Sequence, residues 1–270
     1  MQFQSDFDYS FDPRHNLAFL DPAGDSKPVV LLLHGLGADA ESWFYQFPAL
    51  ISAGYRPIAP DIPGFGRSKG YPRRWSVKHT ARILADWLTQ SGIEQFCLVG
   101  HSMGGVVAQE LALACEKRIE KLILVNTFAH LRLRFFREAR YLIRRFITLN
   151  LKGLDEQAVQ VAERVFPHPS QAEWRKLAIE KISQSDPKVY KQAMMSLAIF
   201  DARRQLHKLK MPALVISGEG DSTVALPIQT EMVKAMPDAR QLVIQNAGHA
   251  VFLDQPQVFN QALINFLGEQ

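Results

Sequence analysis

Short unbroken apolar runs alternate along the chain with longer stretches in which apolar residues recur every three or four positions. The runs are Val29–Leu33, Pro57–Ala59, Phe96–Val99, Lys121–Val125, Ala213–Ile216 and Gln241–Ile244. They are rich in Val, Ile and Leu and lack the polar alternation of a half-exposed strand, so they read as strands of a mostly parallel sheet buried on both faces. The intervening periodicity predicts amphipathic helices near 43–53, 76–91, 102–115, 224–236 and 255–268, enough to cover both faces. Two further segments, Phe3–Tyr9 and Asn16–Leu20, predict an antiparallel N-terminal hairpin and bring the sheet to eight strands. The fold class is α/β.

The alternation breaks between Thr127 and His207, where the pattern is helical throughout. Helices are predicted at 135–147, 155–165, 171–184 and 187–200, punctuated by Pro167-His168-Pro169 and Asp186-Pro187. This divides the chain into a core of residues 1–126 and 208–270 and a helical cap of residues 127–207. The insertion leaves after the strand ending at Val125 and returns before the one beginning at Ala213. It is therefore expected to overhang the carboxyl edge of the sheet, where open α/β folds bind ligands. Phe135, Phe136, Phe146, Met194, Met195 and Phe200 are candidates to line a pocket beneath it, although cap helices also need such residues to pack on one another.

Composition narrows the classes. With 47% hydrophobic residues in 270 positions the chain can bury a large core. The N-terminal residues lack the basic region and apolar stretch of a secretory signal, and no run reaches the length of a membrane span, so a cytoplasmic location is expected. Cys97 and Cys115 form no disulfide framework, no His/Cys cluster has metal-binding spacing, and no Gly-rich loop ends as a phosphate cradle. No metal and no cofactor are predicted. A net charge of +4 does not point to nucleic acid, but its distribution is uneven. Between His130 and Lys152 stand Arg132, Arg134, Arg137, Arg140, Arg144, Arg145 and Lys152 against the single acid Glu138. Such a stretch reads first as a solvated helix face, and second as a site for a carboxylate-bearing substrate, an acidic carrier protein or an anionic surface.

The candidate chemistry lies at strand ends. Gly100-His101-Ser102-Met103-Gly104 follows one apolar run and opens an apolar helix, placing a serine where a strand turns sharply into a helix. At such a corner the serine takes a strained backbone, small neighbours let helix and strand approach, and the hydroxyl points outward as a nucleophile. It needs a base and an acid to orient that base. The loops after the last two strand runs hold Asp221 and His249, and the order Ser102, Asp221, His249 suits this arrangement. Glu219 is a rival acid, while the loop after Lys121–Val125 holds Asn126. His34-Gly35-Leu36-Gly37 follows the first core strand, and its glycines let backbone amides turn toward an oxyanion, assigned to Leu36 and Met103. His34 is expected to fix this loop, His101 to be structural, and both to border the pocket.

With His34-Gly35, Asp61-Ile62-Pro63-Gly64-Phe65-Gly66-Arg67-Ser68, Gly100–Gly105 and Gly248-His249, the sequence resembles the α/β-hydrolase superfamily, specifically its small capped serine hydrolases. The resemblance spans all but the cap. It implies the α/β-hydrolase fold and hydrolysis of carboxylic esters of small to medium acyl groups through an acyl-enzyme, with a small-molecule ester as partner. Carboxylesterases and pimeloyl-acyl-carrier-protein methyl ester esterases are similar, which leaves thioester or carrier-linked ester hydrolysis open. Carbon–carbon hydrolases of ring-cleavage products are an alternative, against which stand His101 in place of the usual asparagine and Ala250 in place of an aromatic residue. A non-catalytic binding module fits least, since all three triad residue types are present.

Overall fold

The computed structural model describes residues 8–24, 27–71, 73–131 and 136–269, and in the helix that begins at Phe136 it leaves the side chains of 136–139 and 141–142 undescribed. Eight strands run Tyr9–Asp12 (β1), Leu17–Leu20 (β2), Val29–Leu33 (β3), Arg56–Pro60 (β4), Phe96–His101 (β5), Ile119–Val125 (β6), Ala213–Gly218 (β7) and Ala239–Ile244 (β8). They form one sheet in the order β1-β2-β4-β3-β5-β6-β7-β8, with the β1–β2 and β2–β4 pairings antiparallel and the rest parallel.

The unbroken apolar runs supply both faces at once. In β3, Leu31 and Leu33 belong to one core and Val30 and Leu32 to the other, the two-residue period of a pleated strand. Helices Val77–Gln90 (α2), Met103–Ala114 (α3) and Leu226–Ala235 (α8) cover the first face. The second is covered by Gln46–Ser52 (α1), the short Val251–Asp254 (α9) and Pro256–Gly268 (α10).

The N-terminal hairpin departs from the expected limits. Its first strand is Tyr9–Asp12 rather than Phe3–Tyr9, and residues 3–7 lie outside the described residues. The turn sets this register: Asp12 accepts the Arg14 N–H at 2.8 Å, Asn16 takes a left-handed φ of 51°, and Asp12 pairs with Leu17.

Between β6 and β7 stand four helices, Phe136–Leu151 (α4), Leu154–Val165 (α5), Ala172–Ser183 (α6) and Pro187–Ala198 (α7). Ala158, Ile182, Tyr190, Ala193 and Met194 from this insertion join the core cluster of the α2/α3 face, so the helices pack onto the sheet's carboxyl edge. No described helix is long and apolar enough to cross a membrane.

Candidate active site

Ser102 stands between β5 and α3 with φ 51° and ψ −114°, a strained conformation for a residue with a Cβ. Close packing enforces it. A Cβ at Gly104 would overlap the carbonyl oxygens of Leu33 and His34, one at Gly100 the backbone of Gly104, and one at Gly105 the side chain of Thr127. The Ser102 N–H donates to the Val125 carbonyl at 3.0 Å, and the Thr127 hydroxyl donates to the Ser102 carbonyl at 2.7 Å. Helix and strand are thereby locked with the hydroxyl at the sheet edge.

His249 Nε2 lies 3.0 Å from Ser102 Oγ, and His249 Nδ1 lies 3.1 and 3.0 Å from the two oxygens of Asp221. With Nδ1 carrying the proton and donating to the carboxylate, Nε2 accepts from the serine hydroxyl. Asp221 is held in turn by the Thr223 and Val224 N–H groups at 2.8 and 3.0 Å and by Gln229 Nε2 at 3.4 Å. The rival acid Glu219 is exposed and faces Gln245, whose amide, turned to donate, lies 2.8 and 2.9 Å from its oxygens. Asp221, buried, is the acid that the structure brings to His249.

Asn126, which the sequence offered only as a strand end without an acid, couples the loops. At a left-handed φ of 44°, its Oδ1 accepts the Gly218 N–H at 2.8 Å and its Nδ2 donates to the carbonyls of Gly248 at 2.8 Å and His249 at 2.6 Å. His101 Nε2–H donates to the same His249 carbonyl at 2.9 Å. Burial, with His249 close by, holds the His101 imidazole well below its ordinary pKa and keeps it neutral.

Met103 is the first residue of α3, so its N–H has no helical acceptor one turn back. Leu36 follows the Gly35 turn, and both Leu36 and Ser102 border a cavity of about 220 Å³ beneath the insertion. His34 does not reach that cavity. It is fully buried behind the turn, accepting the Ile62 N–H on Nε2 at 2.8 Å and donating from Nδ1 to the Gly35 carbonyl at 2.8 Å, and desolvation lowers its pKa to about 4.

The aromatic candidates need correction too. Phe146 and Phe200 pack against the core beside the sheet rather than lining the cavity, because an apolar helix face serves the core as readily as a pocket. Met195 is exposed, while Met194 reaches the cavity. Phe135 and the Phe136 side chain lie outside the described residues. Phe44, Phe128, Trp174 and Phe252 line the cavity instead, with His101.

Charge enters the wall at three places. Lys181 on α6 reaches Asp39 at 2.5 Å and Glu41 at 2.6 Å, joining the insertion to the loop after Leu36. Arg164 donates to the Ser222 carbonyl. Arg145 donates to the Tyr190 hydroxyl at 2.9 Å and, with the Gln157 amide oxygen turned toward it, to Gln157 at 2.6 Å.

Known proteins share this fold. A family model described as alpha/beta hydrolase fold matches residues 28–256. A protein of Azorhizobium caulinodans that carries the name carbamate hydrolase RutD is 29% identical over 91% of this chain and 93% of its own. A 2-hydroxy-6-oxononadienedioate/2-hydroxy-6-oxononatrienedioate hydrolase of Paraburkholderia phymatum is 31% identical over 91% of this chain and 89% of its own. Among solved structures, a thermophilic esterase from Thermogutta terrifontis superposes with a TM-score of 0.79 at 28% identity, covering 93% of this chain and 92% of that one. The chain belongs to the α/β-hydrolase family and is a hydrolase.

Proposed function

We propose that the protein is a serine hydrolase that cleaves carboxylic esters through an acyl-enzyme intermediate, with α4–α7 as a cap over the site. The observation that carries this reading is the continuous relay from Ser102 Oγ through His249 to Asp221, with every link between 3.0 and 3.1 Å. His249 Nε2 takes the Ser102 proton as the oxygen attacks the ester carbonyl. Negative charge then develops on the carbonyl oxygen, which the amides of Leu36 and Met103 are assigned to hold. His249 returns the proton to the departing alcohol, and water activated at the same nitrogen releases the acid. Asp221 keeps the imidazole in the tautomer that accepts from serine and stabilises its charged form.

A second reading has its own support. The relative at 31% identity is named for hydrolysis of an unsaturated oxo-dicarboxylate, and the cavity wall holds the Arg145 guanidinium, which suits a substrate carboxylate. The two readings share Ser102 and differ in the bond broken.

The test runs p-nitrophenyl esters from acetate to dodecanoate alongside a vinylogous oxo-dicarboxylate, using wild type and Ser102→Ala. Ester turnover lost at least about 10⁴-fold in the variant, together with fluorophosphonate labelling of the wild type at Ser102, is the expected result. Turnover of the oxo-dicarboxylate alone would move the assignment to carbon–carbon hydrolysis. Folded protein that resists labelling would overturn serine catalysis altogether.

A further inference from the structure

Seven large hydrophobic side chains stand well exposed among the described residues, and five of them lie on α4 and at α7: Ile143, Ile147, Leu151, Met195 and Ile199. Ile143 is 57%, Ile147 53%, Leu151 81% and Ile199 83% exposed. Their spacing is one helical turn, 143/147/151 on α4 and 195/199 on α7, so each set forms a ridge along one side of its helix.

The exposed Arg140 and Arg144 share the α4 ridge's face. At 100° per residue, 140, 143, 144, 147 and 151 fall within an arc of about 100°. On α7 the exposed Lys188 lies on the side of Met195 and Ile199, and so does Lys191, which donates to Asn150 of α4 and ties the two faces together. The inner sides of the same helices contribute Arg145, Tyr190, Met194 and Leu197 to the cavity that holds Ser102. One pair of helices thus lines the candidate site on its inner side and turns an apolar, cation-flanked surface outward.

We infer that the outer face of α4 and α7 docks on an anionic phospholipid surface, placing the cavity at the lipid boundary. Three features favour this occupant. Protruding aliphatic side chains need no shaped partner when they enter the acyl boundary, whereas a protein partner must match them. Arg140 and Arg144 on α4, with Lys188 and Lys191 on α7, supply the attraction to anionic headgroups. A second copy would seat one cation-flanked face on another, an arrangement of like charge that costs affinity. The inference stands apart from the ester reading, because it rests on the outer face alone.

Cosedimentation of the whole protein with vesicles tests it, using phosphatidylcholine alone and phosphatidylcholine with about 30% phosphatidylglycerol. Binding to the anionic vesicles that weakens with added salt is expected. Ile143→Glu/Ile147→Glu should lower the partition coefficient at least about tenfold, and Arg140→Glu/Arg144→Glu should abolish the preference for anionic lipid. Both variants should retain the wild-type circular dichroism and whatever rate the wild type shows on soluble p-nitrophenyl acetate. Absence of wild-type binding, or undiminished binding by the Ile143→Glu/Ile147→Glu variant, overturns the inference. So does a wild-type dimer that this variant converts to monomer, which would assign the face to a second copy. Retention on an immobilised acidic acyl carrier protein without vesicle binding would assign it to a protein partner. Failure to hydrolyse any ester would remove the catalytic reading and leave the vesicle result standing.

Discussion

Three hydrogen bonds from the single side chain of Asn126 hold the ends of β7 and β8 in register with Ser102, reaching partners 92, 122 and 123 residues away. Two of its partners are carbonyl oxygens, which only a donor can satisfy, so the amide fits and a carboxylate does not. Asn126→Ala should cost about 2–3 kcal/mol of stability and, by freeing the His249 carbonyl, slow fluorophosphonate labelling of Ser102 about 10-fold or more. Asn126→Asp should be worse than alanine at neutral pH, since it turns a negative oxygen toward the Gly248 and His249 carbonyls. Labelling rates and urea midpoints for the two variants check this, and an aspartate variant as good as wild type would mean that the coupling is unimportant. Ser102, Asp221 and His249 were legible as candidates because each follows an apolar run that fixes a strand end. Asn126 was not, because its partners are backbone atoms from two distant loops. The pocket aromatics were legible only as apolar, and helical spacing does not say whether Phe146 faces core or cavity.

Elements rather than residues decide how the insertion is fastened. Lys181 on α6 bridges Asp39 and Glu41 on the loop that follows Leu36, where burial and the neighbouring Glu41 charge push Asp39 toward protonation against the pull of the lysine. Lys181→Met removes the cation and leaves the acids facing one another, at a cost of about 2–4 kcal/mol. Burial already raises the Asp39 pKa, and losing the lysine raises it further, so the deficit should be largest at high pH and shrink as acidification protonates Asp39. Urea unfolding at pH 5 and pH 8 reads this directly, and an equal deficit at both would show that the charges are not coupled. The elements themselves were largely legible. Runs such as Val29–Leu33 announce strands buried on both faces, and Asp186-Pro187 announces a helix start, realised by the Asp186 carboxylate accepting the Lys188 and Val189 N–H groups. Tyr9–Asp12 was harder to place, because an edge strand is half exposed and takes its limits from the turn, not from hydrophobicity.

For the molecule as a whole, two buried groups beside the loop that follows β3 oppose each other in acid. His34 has its pKa lowered to about 4 by burial, so below pH 6.5 the unfolded chain takes up a proton that the folded one refuses, and stability falls as pH falls. At pH 5 that loss amounts to about 2 kcal/mol relative to neutral or higher pH. Asp61 has its pKa raised to about 6, because burial and the Asp39 charge outweigh the hydrogen bonds it accepts from Ala40, Arg67 and Tyr9. Between pH 6 and 3.8 the folded state therefore binds the extra proton, and acidification to pH 5 returns about 1 kcal/mol. Replacing one group should expose the slope of the other. Asp61→Asn should lose about 1 kcal/mol more than wild type between pH 8 and pH 5, and His34→Gln about 2 kcal/mol less, whatever each substitution costs at neutral pH. Chemical denaturation of the three proteins at both pH values measures these differences. Parallel pH profiles for all three would mean that neither burial shapes the acid stability, and the tautomer assigned to His34, which accepts from Ile62 and donates to Gly35, would lose its energetic support.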